Sequence, residues 1–315
     1  MATRRFQLFG KFTVHRDAEL VKGLDGAKEQ ELLSYLLVRR DHCHPREALA
    51  ALLWGDSSTE KSRKYLRQAL WHVQTVLEDH HTSGPPLLSV AHDWVQLNLN
   101  SDTMLDVAVL EQAFAAARGI SGEDLDRAAA EMLKSAIDLY RGDLLEGSYQ
   151  DWCLFERERL QNMYLSILEK LMVFSKAHHD YEAGQGYAST ILRFDPARES
   201  THRQLMHLYC VAGNRTAALR QYERCVRALA EELEVKPQRS TILLYEKIRA
   251  DQLDSSPAGE PLTQVSALQE ALGHLKRFQG VLSLVQRKLQ RDIKAVEQDV
   301  KARTNLTWGN SSPEN

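Results

Sequence analysis

Hydrophobic positions along the chain change period twice, and each change marks a different kind of element. Arg5-Phe6-Gln7-Leu8-Phe9-Gly10 and Lys11-Phe12-Thr13-Val14-His15 alternate around a glycine, the pattern of two short strands. From Ala27 the apolar residues recur at helical spacing, with Leu32, Leu33, Leu36 and Leu37 ending near Arg39-Arg40. Pro45 suits the first position of a second helix, which carries Ala48, Leu49, Leu52 and Leu53 and stops at Trp54-Gly55. Ser57-x-x-Glu60 has the form of a capping box and opens a third helix that runs to about Glu78. After Gly84-Pro85-Pro86 the alternation returns in Leu87-Leu88-Ser89-Val90 and Trp94-Val95-Gln96-Leu97-Asn98-Leu99, a hairpin around a short polar turn. Strands, three helices and a hairpin are the order of a winged helix.

The third helix divides into two faces. At about 100° per residue, Ser62, Leu66, Ala69, Leu70, Val73 and Leu77 share one side. Lys64, Arg67, Gln68, Trp71 and Thr75 share the opposite side, flanked by Lys61 and Arg63. A row of Lys, Arg, Gln and Thr matches what a major groove offers, phosphates and guanine for the cations and adenine for Gln68. Trp71 stands out, because an indole left in water is unused burial. The plain alternative is an amphipathic helix whose polar face is solvated.

From Val107 to Ala250 almost every segment is helical in period, with breaks at Gly119–Gly122, His178–Asp180, Asp195-Pro196, Gly213-Asn214 and Pro237. His179-Asp180-Tyr181-Glu182-Ala183 superposes on Gly213-Asn214-Arg215-Thr216-Ala217 at an offset of 34, which also places Leu171 on Leu205, Met172 on Met206 and Phe174 on Leu208. A 34-residue helix–turn–helix unit is the tetratricopeptide period. Each helical pair has a face it cannot bury alone, so such pairs stack into a solenoid that binds proteins or peptides.

Asp254-Ser255-Ser256-Pro257-Ala258-Gly259-Glu260-Pro261 is a turn-rich linker. Beyond it a long helix is expected, with Val265, Leu268, Leu272, Leu275, Gln279, Leu282, Gln286, Leu289, Ile293, Val296 and Val300 at spacings of three and four. This seam predicts a coiled-coil homodimer through Leu268, Leu272, Leu275, Leu282, Leu289, Ile293 and Val296. Phe278, Val281 and Val285 widen the stripe, so a helix folded back as a cap on the solenoid is the alternative. The tail after Arg303 has the character of a disordered segment. The expected organisation is mainly α: a winged-helix domain over residues 1–102, a helical repeat domain over 103–253, and a linker, long helix and tail over 254–315.

Charge modifies this picture. The net charge of −3 excludes a strongly basic nucleic-acid coat protein. Residues 1–100 carry 13 Lys+Arg against 12 Asp+Glu, residues 101–255 carry 19 against 25, and residues 256–315 carry 8 against 6. The acidic middle masks two mildly basic ends, so a polyanion is expected at an end. With 43% hydrophobic residues interrupted every few positions by charge, no transmembrane span is expected, and Met1-Ala2-Thr3-Arg4-Arg5 does not read as a signal peptide. Four separated cysteines, Cys43, Cys153, Cys210 and Cys225, fit reduced thiols in a cytoplasm.

Little points to chemistry. His42-Cys43-His44 resembles a metal cluster but has no clear fourth ligand, and His80-His81 and His178-His179 read as surface turns. No Ser or Cys nucleophile motif stands out, Glu231-Glu232 needs no catalytic role, and neither an enzyme nor a cofactor is expected. Arg193, Arg198, Arg203, Arg215 and Arg220 lie near repeat turns and could form a basic cleft for an anion.

The stretch Tyr140-Arg141-Gly142-Asp143-Leu144-Leu145-Glu146-Gly147, then Trp152 and Glu156-Arg157-x-Arg159-Leu160, resembles the start of a bacterial transcriptional activator domain. Asp195-Pro196-x-Arg198-Glu199-x-x-His202-x-x-Leu205-Met206-x-x-Tyr209-x-x-x-Gly213 resembles its centre. Ala218-Leu219-x-x-Tyr222, Leu229-Ala230-Glu231-Glu232-Leu233, Pro237, Thr241 and Leu244-Tyr245 resemble its end. That family joins such a domain to a response-regulator-type winged helix and includes antibiotic pathway regulators of actinomycetes. Leu66-Arg67-Gln68-Ala69-Leu70 is similar to its recognition helix. The resemblance, over roughly residues 4–250, implies a transcription factor, most often an activator. Its implied partners are double-stranded DNA, RNA polymerase and an unidentified small-molecule or nucleotide effector. Three departures stand out. His72-Val73-Gln74-Thr75-Val76 replaces the further arginines of relatives, Glu234 stands where they usually have glycine, and no Gly-x-x-x-x-Gly-Lys-Ser/Thr is present. Fewer cations weaken phosphate affinity and keep open a signalling adaptor that binds a protein or small ligand with little DNA affinity.

Overall fold

The computed structural model describes residues 4–17, 19–77, 86–99 and 102–252. The linker, the long helix with its predicted oligomerisation seam, the tail and His80-His81 lie outside the described residues. Strands β1 (Arg4–Gln7), β2 (Thr13–Arg16) and β3 (Glu19–Leu20) lead into α1 (Ala27–Val38). A two-residue strand β4 (His44–Pro45) precedes α2 (Arg46–Trp54) and α3 (Thr59–Leu77), and β5 (Leu88–Val90), β6 (Trp94–Leu97) and β7 (Thr103–Leu105) follow. The helices then continue as α4 (Asp106–Ala116), α5 (Arg127–Ile137), α6 (Asp151–Ala177), α7 (Tyr181–Phe194), α8 (Glu199–Val211), α9 (Arg215–Leu233) and α10 (Arg239–Arg249). The architecture is an N-terminal α+β winged helix followed by a tetratricopeptide-like helical array.

The first sheet runs β3-β2-β1-β7, antiparallel except for the parallel β1–β7 pair. Register brings Phe6 opposite Val14 and Leu105, and all three are buried. Leu32, Leu33, Leu36 and Leu37 of α1 are wholly buried, as their spacing predicts. Two boundaries differ from expectation by one residue. Pro45 holds the extended N-cap position of α2 rather than its first turn, because it is also paired with Trp94 across β4 and β6. Ser58, not Ser57, precedes α3, and its carbonyl accepts the N–H of Ser62 at 2.9 Å.

Four hydrogen bonds fix α3 in place. The Ser62 hydroxyl donates to the Trp54 carbonyl at 2.8 Å, stitching the end of α2 to α3. At the other end, Arg16 and Arg4 donate to the Leu77 carbonyl at 3.0 and 3.4 Å, two cations at the negative pole of the helix. Gln74 donates to the Leu88 carbonyl at 3.0 Å and ties α3 to the β4-β6-β5 sheet. In β6 the side chains alternate, Val95 and Leu97 buried and Trp94 exposed.

In the helical array the 34-residue offset extends to individual hydrogen bonds. His179 and Gly213 both adopt left-handed conformations, φ 58° and 77°. Asp180 N–H donates to Ser175 and Asn214 N–H to Tyr209, at 2.9 and 2.7 Å. The Asp180 carboxylate then caps α7 through Ala183 N–H, as the Asn214 amide caps α9 through Ala217 N–H. One expectation fails: residues 138–150 leave the helix, where helical period had been read as nearly continuous. Arg157 holds this segment by donating to the carbonyls of Leu144 (2.7 Å), Leu145 and Ser148 (2.8 Å). Glu234, at the glycine position of relatives, keeps the left-handed helix end at φ 55°.

The winged helix and the first helices of the array share one hydrophobic core, which runs from Phe6 through Leu110 and Leu133 to Ile191. Asp106, at the start of α4, accepts the N–H groups of Leu8 (2.7 Å), Phe9 (2.9 Å) and Val107 (2.7 Å). Burial outweighs those bonds and pushes its carboxyl up to about 6. A chain of ion pairs, each 2.6 Å, links Arg39 to Glu156, Glu156 to Arg159, Arg159 to Glu111 and Glu111 to Arg40. Trp152 meets Tyr35 edge-on, with ring centroids 5.1 Å apart. The expected division near residue 102 therefore falls beside β7, which belongs to the N-terminal sheet.

Candidate nucleic-acid interface

The two faces of α3 separate as the 100° period predicts. Ser62, Leu66, Ala69, Leu70, Val73 and Leu77 are its buried residues. Lys61, Arg63, Lys64, Arg67, Gln68, Trp71 and Thr75 are all exposed. The structure brings the first five of these together on the N-terminal half of the helix, and Trp71 and Thr75 extend the row toward its C-terminal half. Among the described residues, Lys61, Lys64, Arg67 and Gln68 have no hydrogen-bond or ion-pair partner within the protein. Arg63 differs, since it pairs with Glu47 of α2. Thr75 differs too: its hydroxyl donates to the Trp71 carbonyl at 2.8 Å, one turn back.

An open cleft of about 1350 Å³ runs along this half of α3. Lys61, Arg63, Lys64 and Arg67 line one side, and Arg46, His92 and Trp94 line the other, with Glu47, Glu60 and Asp93 among them. Arg46 begins α2 and donates to the Ala91 carbonyl at 3.3 Å, while Trp94 is half exposed beside the β5–β6 turn. Sequence reasoning missed Arg46, His92 and Trp94. Only the even-numbered face of β6 hinted at Trp94, an aromatic at an outward position of an alternating strand. Nothing local to Arg46 shows that the hairpin returns to it, because β4 pairs with β6 far along the chain (Pro45 with Trp94).

The residues after Trp71 belong to the fold. Val73 is buried, Gln74 holds the hairpin, and His72 lies 3.7 Å from the Glu29 carboxylate. His72, Val73 and Gln74 thus engage the protein itself.

Several residues of the other candidate sites are engaged within the protein. His44 is buried, donates to the Arg39 carbonyl at 3.1 Å and faces Tyr35, and burial lowers its pKa. Among the described residues no group of three His, Cys, Asp or Glu could hold a metal ion. The basic cleft among the repeats is not assembled as expected. Arg198 pairs with Glu169 at 2.6 Å, Arg203 donates to Thr241 at 3.1 Å, and Arg215 donates to the carbonyls of Ile248 and Arg249. A second cleft of about 770 Å³ lies between Lys11 and Lys28 of the winged helix and Leu145–Gln150 of the array. No helix among the described residues is long and apolar enough to cross a membrane.

A winged helix sharing its core with a tetratricopeptide-like array defines a class of two-part folds. Within it, residues 105–249 match the family described as bacterial transcriptional activator domain. The chain is 25% identical over 264 residues to regulatory protein AfsR of Streptomyces coelicolor, covering 84% of this chain and 25% of that protein. It is 26% identical over 228 residues to transcriptional regulatory protein MoaR1 of Mycobacterium tuberculosis, covering 70% of this chain and 71% of the relative. It thus spans about a quarter of AfsR and most of MoaR1. Among solved structures, Mycobacterium tuberculosis EmbR in complex with a low-affinity phosphopeptide superposes with a TM-score of 0.63 at 20% identity, covering 89% of this chain and 72% of that one. At that identity the likeness establishes the fold.

Proposed function

We propose that the chain is a sequence-specific DNA-binding transcription regulator, an activator, acting in the cytoplasm on double-stranded DNA. In this reading α3 enters a major groove, the β5–β6 hairpin lies beside it along the backbone, and the helical array contacts a protein, RNA polymerase first among the candidates. The observation that carries the proposal is the unpartnered row Lys61, Lys64, Arg67 and Gln68 on the side of α3 away from its buried face, with Lys61, Lys64 and Arg67 lining an open cleft. In this reading Arg46, Lys61 and Lys64 meet phosphates, and Arg67 and Gln68 meet guanine and adenine edges. Three neutralised phosphates give a salt slope near −2.7, so affinity falls about 40-fold between 50 and 200 mM salt. Binding of selected duplexes by the full chain and by Arg67→Ala, measured by anisotropy across that range, tests this. Absence of sequence-selective, salt-sensitive binding by the wild type refutes it.

One observation favours a second reading, a signalling adaptor with little DNA affinity. Glu47, Glu60 and Asp93 interrupt the cations of the cleft, and Arg63 is already paired. The same titration decides between the two. The cleft of about 770 Å³ beside Lys11 and Lys28 is the place proposed for a small-molecule or nucleotide effector. Homodimerisation through Leu268, Leu272, Leu275, Leu282, Leu289, Ile293 and Val296 remains a proposal from sequence spacing. A sedimentation comparison with a truncation at Asp254 tests it, and an unchanged association state rejects it.

A further inference from the structure

The solvent face of α3 changes chemistry along its length. Lys61, Lys64, Arg67 and Gln68 make its N-terminal half mainly cationic and amidic; beyond Gln68 its centre is the indole of Trp71, 67% exposed. The polar groups around that indole are engaged with the protein. His72 lies 3.7 Å from Glu29, Gln74 donates to Leu88, and the Thr75 hydroxyl donates to the Trp71 carbonyl. The neighbouring Tyr65 packs on Trp54, with ring centroids 6.4 Å apart, whereas among the described residues Trp71 has no ring contact. An aromatic surface of this size in water is a large unused burial in a helix whose other large apolar residues are packed. Its position on the same stripe as Lys64 and Gln68 places it where those side chains would meet a duplex.

In the major groove the base edges present hydrogen-bonding groups and one apolar group, the C5 methyl of thymine. We propose that Trp71 is a specificity-determining residue that packs on thymine methyl groups in the part of the operator facing the C-terminal half of α3. This rests on the DNA-binding reading above and adds to it a division of labour. Arg67 and Gln68 read hydrogen-bonding edges, and Trp71 reads methyl groups one turn further along. The operator should therefore carry a fixed thymine, on either strand, adjacent to the positions read by Arg67 and Gln68.

Duplexes selected from a random pool by the full chain provide the probe. Each thymine of the selected site is replaced in turn by uracil, which removes the methyl and keeps the pairing edge. For the wild type, one or two of these replacements weaken binding about fourfold each, the effect of one buried methyl. Trp71→Ala binds the thymine duplex about tenfold more weakly and no longer distinguishes thymine from uracil, while Trp71→Phe keeps part of the difference. Because Trp71 is exposed, both variants should unfold at the wild-type temperature. Three results overturn the proposal. Trp71→Ala retains the thymine preference; or it weakens all duplexes equally, as a sugar or phosphate contact would; or it leaves DNA binding unchanged and alters self-association, as a protein-contact surface would. If the wild type selects no sequence at all, the DNA-binding reading fails as well. Selection without any uracil effect rejects the role of Trp71 alone.

Discussion

Replacing Glu234 by glycine releases a strain that the fold imposes on one exposed residue. Glu234 ends α9 in the left-handed region, φ 55° and ψ 31°, and Val235 N–H turns back to the Leu229 carbonyl at 3.2 Å. A side chain at such a position costs about 1–2 kcal/mol, and glycine gives back part of that through its freer unfolded chain, leaving a net gain of about 1 kcal/mol. A second, smaller effect is electrostatic. The last turn of α9 has no basic residue, and Glu231 and Glu232 already stand at its negative pole, so removing one more carboxylate adds about 0.3 kcal/mol. Glu234→Ala separates the two effects, since it removes the charge and keeps the strained backbone. Thermal unfolding should rise by roughly 2–4 °C for Glu234→Gly, and by about 1 °C for Glu234→Ala. Equal shifts for the two variants, or a lower midpoint for glycine, would refute the account of backbone strain.

Asp180→Ala and Asn214→Ala remove equivalent caps one repeat apart; each should cost about 1 kcal/mol, and urea denaturation of the double variant should show the sum. Asp106 titrates near 6 in the folded chain against 3.8 in a free carboxyl, so the folded state holds this proton more tightly. Its contribution to stability is largest below about pH 4 and falls by up to about 3 kcal/mol as pH rises through 6; Asp106→Asn should flatten that slope in urea midpoints between pH 4.5 and 7, and parallel profiles would sink the assignment. Lys64→Ala should lower the salt slope of DNA binding by about 0.9 and leave sequence preference unchanged, whereas a changed preference would move Lys64 from phosphate to base.

How much of this was legible depended on whether the information was local. The faces of α3 were readable because one helical period decides which side meets the core, and Leu66, Leu70, Val73 and Leu77 obey it. The repeat was readable down to its caps because a left-handed residue followed by Asp or Asn recurs at His179-Asp180 and Gly213-Asn214. The strands β4 and β7 were not. Each has two or three residues, too few to show alternation, and each exists only through a distant partner, β6 or β1. Residues 138–150 were misread because the apolar Leu144 and Leu145 pair with Phe9 and Leu8 across the chain instead of continuing a helix. In the cleft, the pairing of Arg63 with Glu47 was invisible for the same reason: it joins two helices whose packing no local pattern specifies.

The shared core has a consequence for how such a chain would be placed on a promoter. Asp106 grips Leu8 and Phe9, and Arg39 and Arg40 are paired into α6 and α4, so the described residues tie α4 and α6 to the winged helix at several points. A duplex held by α3 therefore sets the azimuth of the first array helices about its own axis. Shifting the bound site by five base pairs would swing the array to the far side of the DNA, and a shift of ten would bring it back, so regulation through the array should depend periodically on operator spacing.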